Sequence, residues 1–518
     1  MSELHVAVVG AGIGGLVAAL DLARRGTRVT VVERAAGPGG KLRQVKVGER
    51  LVDAGPTVFT LRDVFDRVFT EAGERLDDHL RLTRQSRLAR HHWPDGSSLD
   101  LHDDPARSAE AIGAFAGAGA ARAYRDFARQ AADVYAALEK PFIRAERPAN
   151  PMALMSRAGL AGFGGMLRIQ PYTLLWRALG ELFTDPRLRQ LFGRYATYCG
   201  SSPFEAPATL MLVAHVEAQG VWSVEGGLGA LARALQALCE ARGVRFRFHA
   251  DVAEVLMSGG RAAGLSLRGG ERLACDAVVW NGDAAALAAG RAGRGAMAAV
   301  PATAPDARSL SAFTVAMAAR MRGPELLRHN VFFSEDYPAE FEAIRAGRVP
   351  ERPTVYLCAQ DRGDGSPALP AGPEGAPVER ALAIVNAPAD GDRHRYTPEE
   401  IRSCEERTFR QLERCGLTVE RPPGSTLPTA PSDFSDLFPG TGGALYGPAS
   451  HGWMASFRRP GSRSRLPGLY LAGGSVHPGS GVPMAALSGR LAASSLMQDC
   501  ASTSRSTRTA TRGGTSMR

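Results

Sequence analysis

The first 32 residues alternate between two hydrophobic periodicities. Leu4 to Val9 is a short apolar run, Leu16 to Arg25 carries apolar residues at helical spacing and stops at Gly26, and Arg28 to Val32 is a second apolar run. Short apolar runs are typical of buried strands, whereas a 3.6-residue spacing indicates a helix. The pattern therefore predicts a strand, a tight glycine turn, a helix and a second strand.

A related pattern returns in the middle of the chain. Between positions 222 and 254, a helical stretch is followed by strand-like runs at Val244 to Phe248 and from Val252 onward, and Val278 to Asn281 is a further buried run. Elsewhere, Arg81 to His92 alternates and meets Ser98 to Leu101 across a Pro-Asp-Gly turn. That combination predicts a β-hairpin.

A long helical stretch separates these strand patterns. From about Ala106 to Phe204 the apolar residues recur at core-facing helical spacing. Within it, Met152 to Phe183 mixes Met, Leu, Phe and Trp with arginines, a composition that suits helices lying in a membrane interface. Ordinary core helices with surface arginines explain the same composition equally well, and the sequence leaves both interpretations open.

Length and composition limit the classes of protein that these patterns allow. A chain of 518 residues and 54.9 kDa exceeds one hydrophobic core, so several substructures are expected. A hydrophobic content of 44% and a mean hydropathy of -0.13 are typical of a soluble protein. Leu466 to Gly489 holds no charged side chain, but its prolines and glycines argue against a lipid-exposed helix.

Charge and cysteine content further limit the kind of protein and its expected location. The formal net charge is +9, part of which lies in the Ser/Thr/Arg/Gly-rich segment 501–518, which predicts a disordered tail. The remaining excess fits contact with an anionic membrane surface, and no nucleic-acid-binding motif is present. The seven scattered cysteines form no CxxC pair, which predicts reduced thiols, a cytoplasmic location and no metal site.

The first chemical motif is Gly10-Ala-Gly-Ile-Gly-Gly15, which directly follows a predicted strand and opens a helix. Gly10 permits the tight turn, Gly12 lets a pyrophosphate approach the backbone, and Gly15 lets the helix pack closely on the sheet. The next strand ends in Glu33, 23 residues after Gly10, where a carboxylate holds the ribose hydroxyls of an adenosine. The pattern predicts a dinucleotide site that excludes a 2′-phosphate.

Further motifs point to a flavin rather than a nicotinamide. Gly39-Gly40-Lys41 follows Glu33 closely and offers bare backbone and a basic group to a pyrophosphate and ribityl chain. Near the C-terminus, Leu469 to Ser475 predicts a strand that ends in glycines, and Pro483 then starts a helix. The positive end of that helix would stabilise the negative charge of reduced flavin.

The order of these motifs predicts a discontinuous fold. We expect an α/β protein in which a Rossmann-like FAD-binding domain is interrupted by a mixed-sheet substrate domain and by a helical, membrane-facing subdomain. The predicted bounds are 1–80, 216–285 and 461–500 for the FAD-binding domain, 81–105 and 286–460 for the substrate domain, 106–215 for the helical subdomain and 501–518 for the tail.

Two stretches carry a resemblance to a known family. Asp53 to Val58 and the closing motif resemble the carotenoid (phytoene-type) desaturases of the flavin amine oxidase superfamily. Gly442 to Gly447, His451 to Gly461 and Gly473 to Pro478 are similar to the 1-hydroxycarotenoid 3,4-desaturases, also called methoxyneurosporene dehydrogenases. The resemblance departs from the wider superfamily where Ser475 occupies the place of an acid that contacts the ribityl chain.

The resemblance implies non-covalent FAD, a carotenoid substrate, a peripheral membrane location and an electron acceptor of unknown identity. The cofactor-binding residues that motif and resemblance together predict are Gly10, Gly12, Gly14, Gly15, Glu33, Arg34, Gly39, Gly40, Lys41, Gly55, Pro56, Thr57, Val252, Gly474, Ser475, Pro483 and Met484. No Ser/His/Asp or Cys/His arrangement indicates a catalytic group. The candidate pocket residues are His451, His477, Tyr446 and Ser456.

Three functions remain open from the sequence. The first is hydride transfer from an acyclic 1-hydroxycarotenoid to flavin, which introduces the C-3,4 double bond, with phytoene as the alternative substrate. The second is another flavin oxidase of the amine oxidase superfamily, although no cysteine lies near Gly473 and Gly474 for covalent attachment. The third is a non-catalytic escort of prenylated proteins on the same fold, which predicts a protein without flavin.

Overall fold

The computed structural model describes residues 4–169, 171–366 and 377–511. The strands are β1 (His5–Val9), β2 (Arg28–Val32), β3 (Gln44–Val47), β4 (Arg50–Asp53), β5 (Leu82–Arg84), β6 (Arg87–His92), β7 (Ser98–His102), β8 (Trp222–Val224), β9 (Arg245–Arg247), β10 (Val252–Ser258), β11 (Arg261–Leu267), β12 (Arg272–Ala274), β13 (Ala277–Trp280), β14 (Ser311–Arg322), β15 (His329–Phe332), β16 (Val355–Ala359), β17 (Val378–Ala387), β18 (Thr418–Glu420), β19 (Thr426–Thr429) and β20 (Leu469–Leu471). The α-helices are α1 (Ile13–Arg24), α2 (Arg62–Glu71), α3 (Leu76–His79), α4 (Pro105–Ala116), α5 (Ala118–Leu138), α6 (Pro151–Arg168), α7 (Leu175–Leu182), α8 (Pro186–Gly193), α9 (Leu212–Ala218), α10 (Gly229–Ala241), α11 (Ala284–Ala288), α12 (Tyr337–Arg345), α13 (Pro398–Arg414), α14 (Pro431–Leu437), α15 (Ala455–Arg458) and α16 (Val482–Thr511).

A five-stranded parallel sheet in the order β20-β13-β1-β2-β9 assembles from distant parts of the chain. Its central strand alternates between two cores, because successive strand side chains point to opposite faces. Val6 and Val8 pack with α1, α10 and α16, whereas Ala7 and Val9 face the antiparallel sheet β10-β11-β12. The sheet confirms the predicted discontinuous Rossmann-like α/β fold.

A second, mixed sheet lies beside it. Its order is β18-β14-β17-β16-β15-β6-β7, with β19 also paired to β14. The ladder is antiparallel except between β15 and β6, which run parallel. One face packs on α13. Helices α4, α5, α7 and α8, in the region that the sequence predicts to be helical, form a further core together with β6, β7 and β15.

The predicted hairpin differs from the structure at its first strand. The run from Arg81 to His92 is two strands, because β5 pairs with β8 while β6 pairs with β7. Gln85 lies between them and is buried, with its side chain bonded to Ser223 and Asp364. The chain therefore leaves one sheet and enters another at Gln85, which an alternating pattern does not reveal.

The predicted domain boundary at residue 285 also differs from the way in which the following elements pack. Helix α11 and the 3-10 segment Arg294–Ala299 bury Ala286, Leu287 and Ala296 against the antiparallel sheet β10-β11-β12. They belong structurally with the parallel sheet, although their Ala/Gly-rich sequence shows no clear period. Likewise, α16 continues to Thr511 and covers part of the predicted disordered tail, and residues 512–518 lie outside the described residues.

Candidate active site

One large cavity runs between the parallel sheet and the mixed sheet. Its volume is about 1460 Å³, above the roughly 300–1,000 Å³ of ordinary ligand pockets. At one end it is lined by the glycine turn after β1, and at the other by side chains of β14, β16 and β17. The volume suits a dinucleotide cofactor together with a second, long ligand.

The first glycine turn is shaped by backbone contacts. A Cβ atom on Gly15 would lie 2.1 Å from the Gly10 carbonyl oxygen, so only glycine allows this approach. The side-chain amide of Asn281 donates to the same carbonyl at 3.1 Å, which ties β13 to the turn. Helix α1 thereby begins at Ile13 with its N-terminus at the cavity and no acid in its first turn. Its free N–H groups suit a pyrophosphate.

Glu33 directly follows β2 and lies at the wall of the cavity. One carboxylate oxygen accepts from the Ala11 N–H at 2.7 Å, and the other accepts from the Ala35 N–H at 2.8 Å. The side chain is buried, so these bonds hold it in one orientation. Each carboxylate oxygen retains a lone pair for a ribose hydroxyl.

The second glycine pair packs directly on the first turn. Gly39 forms a parallel bridge with Gly12, and a Cβ on Gly40 would lie 3.3 Å from the Gly12 Cα. Lys41 follows and is half-buried, with its amine donating to the Leu445 carbonyl. Burial lowers the pKa of Lys41, and the nearby Asp283 opposes that shift.

The C-terminal motif closes the same end of the cavity. A Cβ on Gly489 of α16 would lie 2.2 Å from the Gly14 carbonyl oxygen, so α16 and α1 touch backbone to backbone. Ser480 to Ala485, including the start of α16, line the cavity. The Ser475 hydroxyl accepts from the Ala284 N–H at 3.0 Å and is therefore already used within the protein.

Two charged residues at the cofactor end of the cavity were not identified from the sequence. Asp283 lines the cavity, and its Oδ2 is buried without a hydrogen-bond partner among the described residues. Arg459 is buried and donates to the carbonyl oxygens of Tyr446, Pro448 and Gly474. Burial lowers the pKa of Arg459. The signal for Asp283 was its position three residues after the buried strand β13, which ends at Trp280.

The structure brings the predicted cofactor-binding residues together. All of them except Gly15 line the cavity, and Gly15 instead packs against Gly10 and Asn281. Three polar features are ones that a flavin dinucleotide would satisfy: the unpaired Asp283 Oδ2, the bare glycine backbone and the half-buried Lys41. The residues present therefore fit FAD, while the individual contacts with FAD stay predictions.

The four candidate pocket residues separate into two pairs. Tyr446 and Ser456 line the cavity, and neither histidine is part of its described lining. His477 Nε2 faces the carbonyl oxygens of Phe142 and Ala145 at 3.0 and 2.9 Å, and burial lowers its pKa to about 4. His451 Nε2 accepts from the Ser202 N–H at 3.1 Å. Both histidines hold loops together rather than face the cavity.

The far end of the cavity is mostly apolar. Its apolar wall includes Val58, Tyr135, Leu138, Phe142, Ile143, Leu210, Leu212, Val213, Ala312, Val331, Leu382 and Ile384. Polar side chains interrupt it, among them Thr57 with Tyr356 and a cluster around Arg194 and Glu217. Thr209, Thr314, Thr354 and Asn386 also belong to the lining. A surface of this kind suits a hydrocarbon chain that carries little polarity.

The Arg194 cluster is an ion pair buried with two tyrosines. Arg194 Nη1 donates to the Tyr198 hydroxyl at 3.0 Å, and that hydroxyl donates to Glu217 Oε1 at 2.8 Å. Tyr195 donates to the other Glu217 oxygen. Burial alone would lower the pKa of Arg194, but Tyr198 and Glu217 raise it above its usual value. Arg194 therefore keeps its proton, and it depends on Glu217 as its ionic partner.

Comparisons with known proteins agree with this geometry. A family model described as flavin containing amine oxidoreductase matches residues 13–497. The chain is 53% identical to hydroxyneurosporene desaturase of Rubrivivax gelatinosus over 519 residues, which cover 99% of this chain and 97% of that protein. It is 48% identical to hydroxyneurosporene desaturase of Cereibacter sphaeroides over 500 residues, which cover 96% and 99%.

A solved structure supports the fold. A putrescine oxidase variant with redesigned cofactor binding superposes with a TM-score of 0.59 at 14% identity, covering 96% of this chain and 99% of that one. The family match, the glycine turns and the fixed Glu33 agree on FAD as the cofactor. The chain therefore belongs to the flavin-containing amine oxidoreductases and, within them, to the carotenoid desaturases, FAD-dependent oxidoreductases that act on CH–CH groups.

Proposed function

We propose that this protein introduces the C-3,4 double bond into acyclic 1-hydroxycarotenoids during carotenoid biosynthesis. The observation that carries the proposal is the mostly apolar cavity, which continues from the cofactor-binding turns into the mixed sheet. The polar side chains in its wall distinguish the cavity from one that binds only hydrocarbon. The two relatives at 53% and 48% identity are both named for a hydroxylated carotenoid.

Bound FAD supplies the hydride acceptor for this reaction. The chain's own task is to align two neighbouring C–H bonds and to keep water away. Val331, Leu382 and Ile384 provide apolar contact along one wall. The N-terminus of α16 faces the cavity and favours negative charge there. An electron acceptor of unidentified chemistry returns the flavin to its oxidised form.

We further propose that the protein binds the cytoplasmic face of a membrane. Met152, Tyr172, Leu174 and Trp453 are large apolar side chains exposed by 80, 74, 41 and 40%. The Tyr172 and Trp453 rings lie 5.0 Å apart, so the exposed residues include a contiguous aromatic pair. Exposed apolar patches commonly mark membrane or protein contacts. No helix within the described ranges is long and apolar enough to span a bilayer.

Feeding carotenoids to cells that express the chain tests the reaction. Supplied separately with phytoene and with an acyclic 1-hydroxycarotenoid, the cells should convert only the hydroxylated compound. The added double bond lengthens the polyene, so the product absorbs further to the red. Conversion of phytoene with the hydroxylated compound untouched would instead identify a phytoene desaturase.

Vesicle flotation tests the membrane proposal. The protein should float with anionic vesicles, and the double substitution Tyr172→Ser and Trp453→Ser should reduce the floating fraction. Leu51→Ser is a matched control, because Leu51 is 55% exposed but lies on β4 rather than in the patch. Equal flotation of both variants would contradict the assignment of the patch.

Acid precipitation tests how FAD is held. We expect the yellow colour to pass into the supernatant, because the predicted attachment is non-covalent. Colour that stays with the precipitated protein would show a covalent bond.

A further inference from the structure

Three polar side chains form a hydrogen-bonded series at the mixed-sheet side of the cavity. The Thr57 hydroxyl and the Tyr356 hydroxyl lie 2.7 Å apart, and the Tyr356 hydroxyl lies 2.7 Å from His329 Nδ1. His329 is on β15 and Tyr356 on the adjacent β16, whereas Thr57 follows the Gly55-Pro56 segment. Thr57 and Tyr356 both line the cavity.

The series carries no charge near neutral pH. Burial, followed by the charges of Arg328 and Arg194, lowers the pKa of His329 to about 3, so the imidazole is neutral. Burial also raises the pKa of Tyr356 well above its usual value, so the phenol keeps its proton. A neutral series suits a neutral partner and disfavours a carboxylate or an ammonium group.

The positions of the hydrogens follow from the unpaired nitrogen. His329 is 3% exposed, and its Nε2 has no hydrogen-bond partner in the described part of the chain. A buried N–H without an acceptor is rarer in proteins than an acceptor without a donor, so we assign the proton to Nδ1. Nδ1–H then donates to Tyr356, and Tyr356 donates to Thr57. Tyr356 then does not use the Thr57 hydrogen, and the protein group that competes for it is the Cys358 thiol, which is only a weak acceptor.

We propose that this series recognises the tertiary hydroxyl of the substrate and that the Thr57 hydroxyl donates to its oxygen. The inference rests on the proposed function. The hydroxyl is on C-1, two bonds from the C-3 position that is desaturated, so its partner must lie close to the reacting carbons. Thr57 belongs to the segment predicted to lie beside the cofactor and also faces the cavity. The series is therefore a specificity-determining site.

The test compares two substrates that differ by one oxygen atom. For each variant, kcat/KM is measured with an acyclic 1-hydroxycarotenoid and with the same carbon skeleton lacking the hydroxyl, per bound FAD. Thr57→Val keeps the shape and removes the donor, and it should lower the ratio of the two values about ten- to a hundredfold. Thr57→Ser keeps the donor and should restore most of the ratio.

Two more variants separate recognition from general damage. Tyr356→Phe removes the group that orients Thr57, and it should lower the ratio by a smaller factor than Thr57→Val. Thr197→Val is the matched control, because Thr197 also lines the cavity but donates its hydroxyl to the Arg194 carbonyl at 2.7 Å. The ratio of Thr197→Val should equal that of the wild type.

The outcomes distinguish the two proposals. If the wild type does not convert the hydroxylated substrate, the proposed function is wrong. In a second outcome, the wild type prefers that substrate while Thr57→Val and Tyr356→Phe show the same ratio of kcat/KM values as the wild type. In that case the proposed function stands and this inference is overturned. If Thr57→Val fails to bind FAD, the result for Tyr356→Phe decides: an unchanged ratio overturns the inference, and a lowered ratio supports it.

Discussion

The two ends of the cavity are built by different means. At the cofactor end, backbone atoms make the shape: a Cβ on Gly15 or Gly489 would lie within 2.2 Å of a carbonyl oxygen. At the substrate end, side chains make it: Arg194 and Glu217 are buried together, and Tyr356 bridges Thr57 and His329. The glycines that set the backbone shape tolerate almost no substitution. A side-chain network can instead be replaced by other side chains, provided that their charges and hydrogen bonds are also paired.

This difference has a chemical cause. A dinucleotide is the same in many proteins and is bound through its phosphates and sugars, which backbone N–H groups and one carboxylate recognise. A hydrocarbon substrate offers little polarity, so its recognition depends on which few polar side chains interrupt an apolar wall. The following predictions test that contrast, beginning with the largest effect.

Breaking the buried ion pair between Arg194 and Glu217 should cause the largest loss of stability. Glu217→Leu leaves Arg194 charged and unpaired at the substrate end, which should lower the free energy of unfolding by about 3–5 kcal/mol. Denaturant unfolding measures the loss. In the double variant Arg194→Met and Glu217→Leu most of the loss should be recovered, because both charges are gone. A double variant as unstable as the single one would show that the network acts through more than charge.

At the cofactor end, adding one methyl group at Gly15 should lower stability by nearly as much. Gly15→Ala forces its Cβ against the Gly10 carbonyl, and the free energy of unfolding should fall by about 3 kcal/mol with loss of bound FAD. Thermal unfolding and flavin absorbance report both effects. Gly37→Ala is the control, because its Cβ would meet no heavy atom within 4 Å. Similar losses in both variants would contradict the backbone argument.

A buried carboxyl behind the substrate end should make stability depend on pH. Burial raises the pKa of Glu340 to about 7, above the 4.5 of an exposed glutamate. The folded state therefore binds more protons than the unfolded state between these values, and stability falls as pH rises through this window, by up to about 3 kcal/mol. Glu340→Gln should remove that slope, and parallel pH profiles of the two proteins would rule the shift out.

The smallest effect is expected at Glu33, a charged side chain of the cofactor end. Glu33→Ala should weaken FAD binding by about 1–3 kcal/mol, because the ribose hydroxyls lose a charged acceptor. A fluorescence titration with FAD measures the change. Glu33→Gln keeps two acceptor sites on one oxygen and should weaken binding less. An unchanged affinity in Glu33→Ala would mean that the ribose is held elsewhere.

Local sequence patterns located the glycine turns and Glu33 of the cofactor end, but not Asp283 or Arg459. Gly10, Gly12 and Glu33 are recognisable because a tight turn, a close approach and a strand end each restrict the residue type at a fixed spacing. The same patterns predicted the discontinuous Rossmann-like fold, since each strand of the parallel sheet carries its own apolar run. Short Ala/Gly-rich elements such as α11 went unnoticed because they lack a period.

The arrangement of polar side chains at the substrate end is evident only from the tertiary structure. Thr57 lies far along the chain from His329 and Tyr356. The three meet because β15 pairs with β16 and the Tyr356 hydroxyl reaches Thr57 in the segment after β4. By contrast, His451 and His477 share a conspicuous glycine-rich region, yet both are turned toward loop backbone. A local motif constrains the backbone where it stands, whereas the side chains that meet in a cavity depend on strand pairing across hundreds of residues.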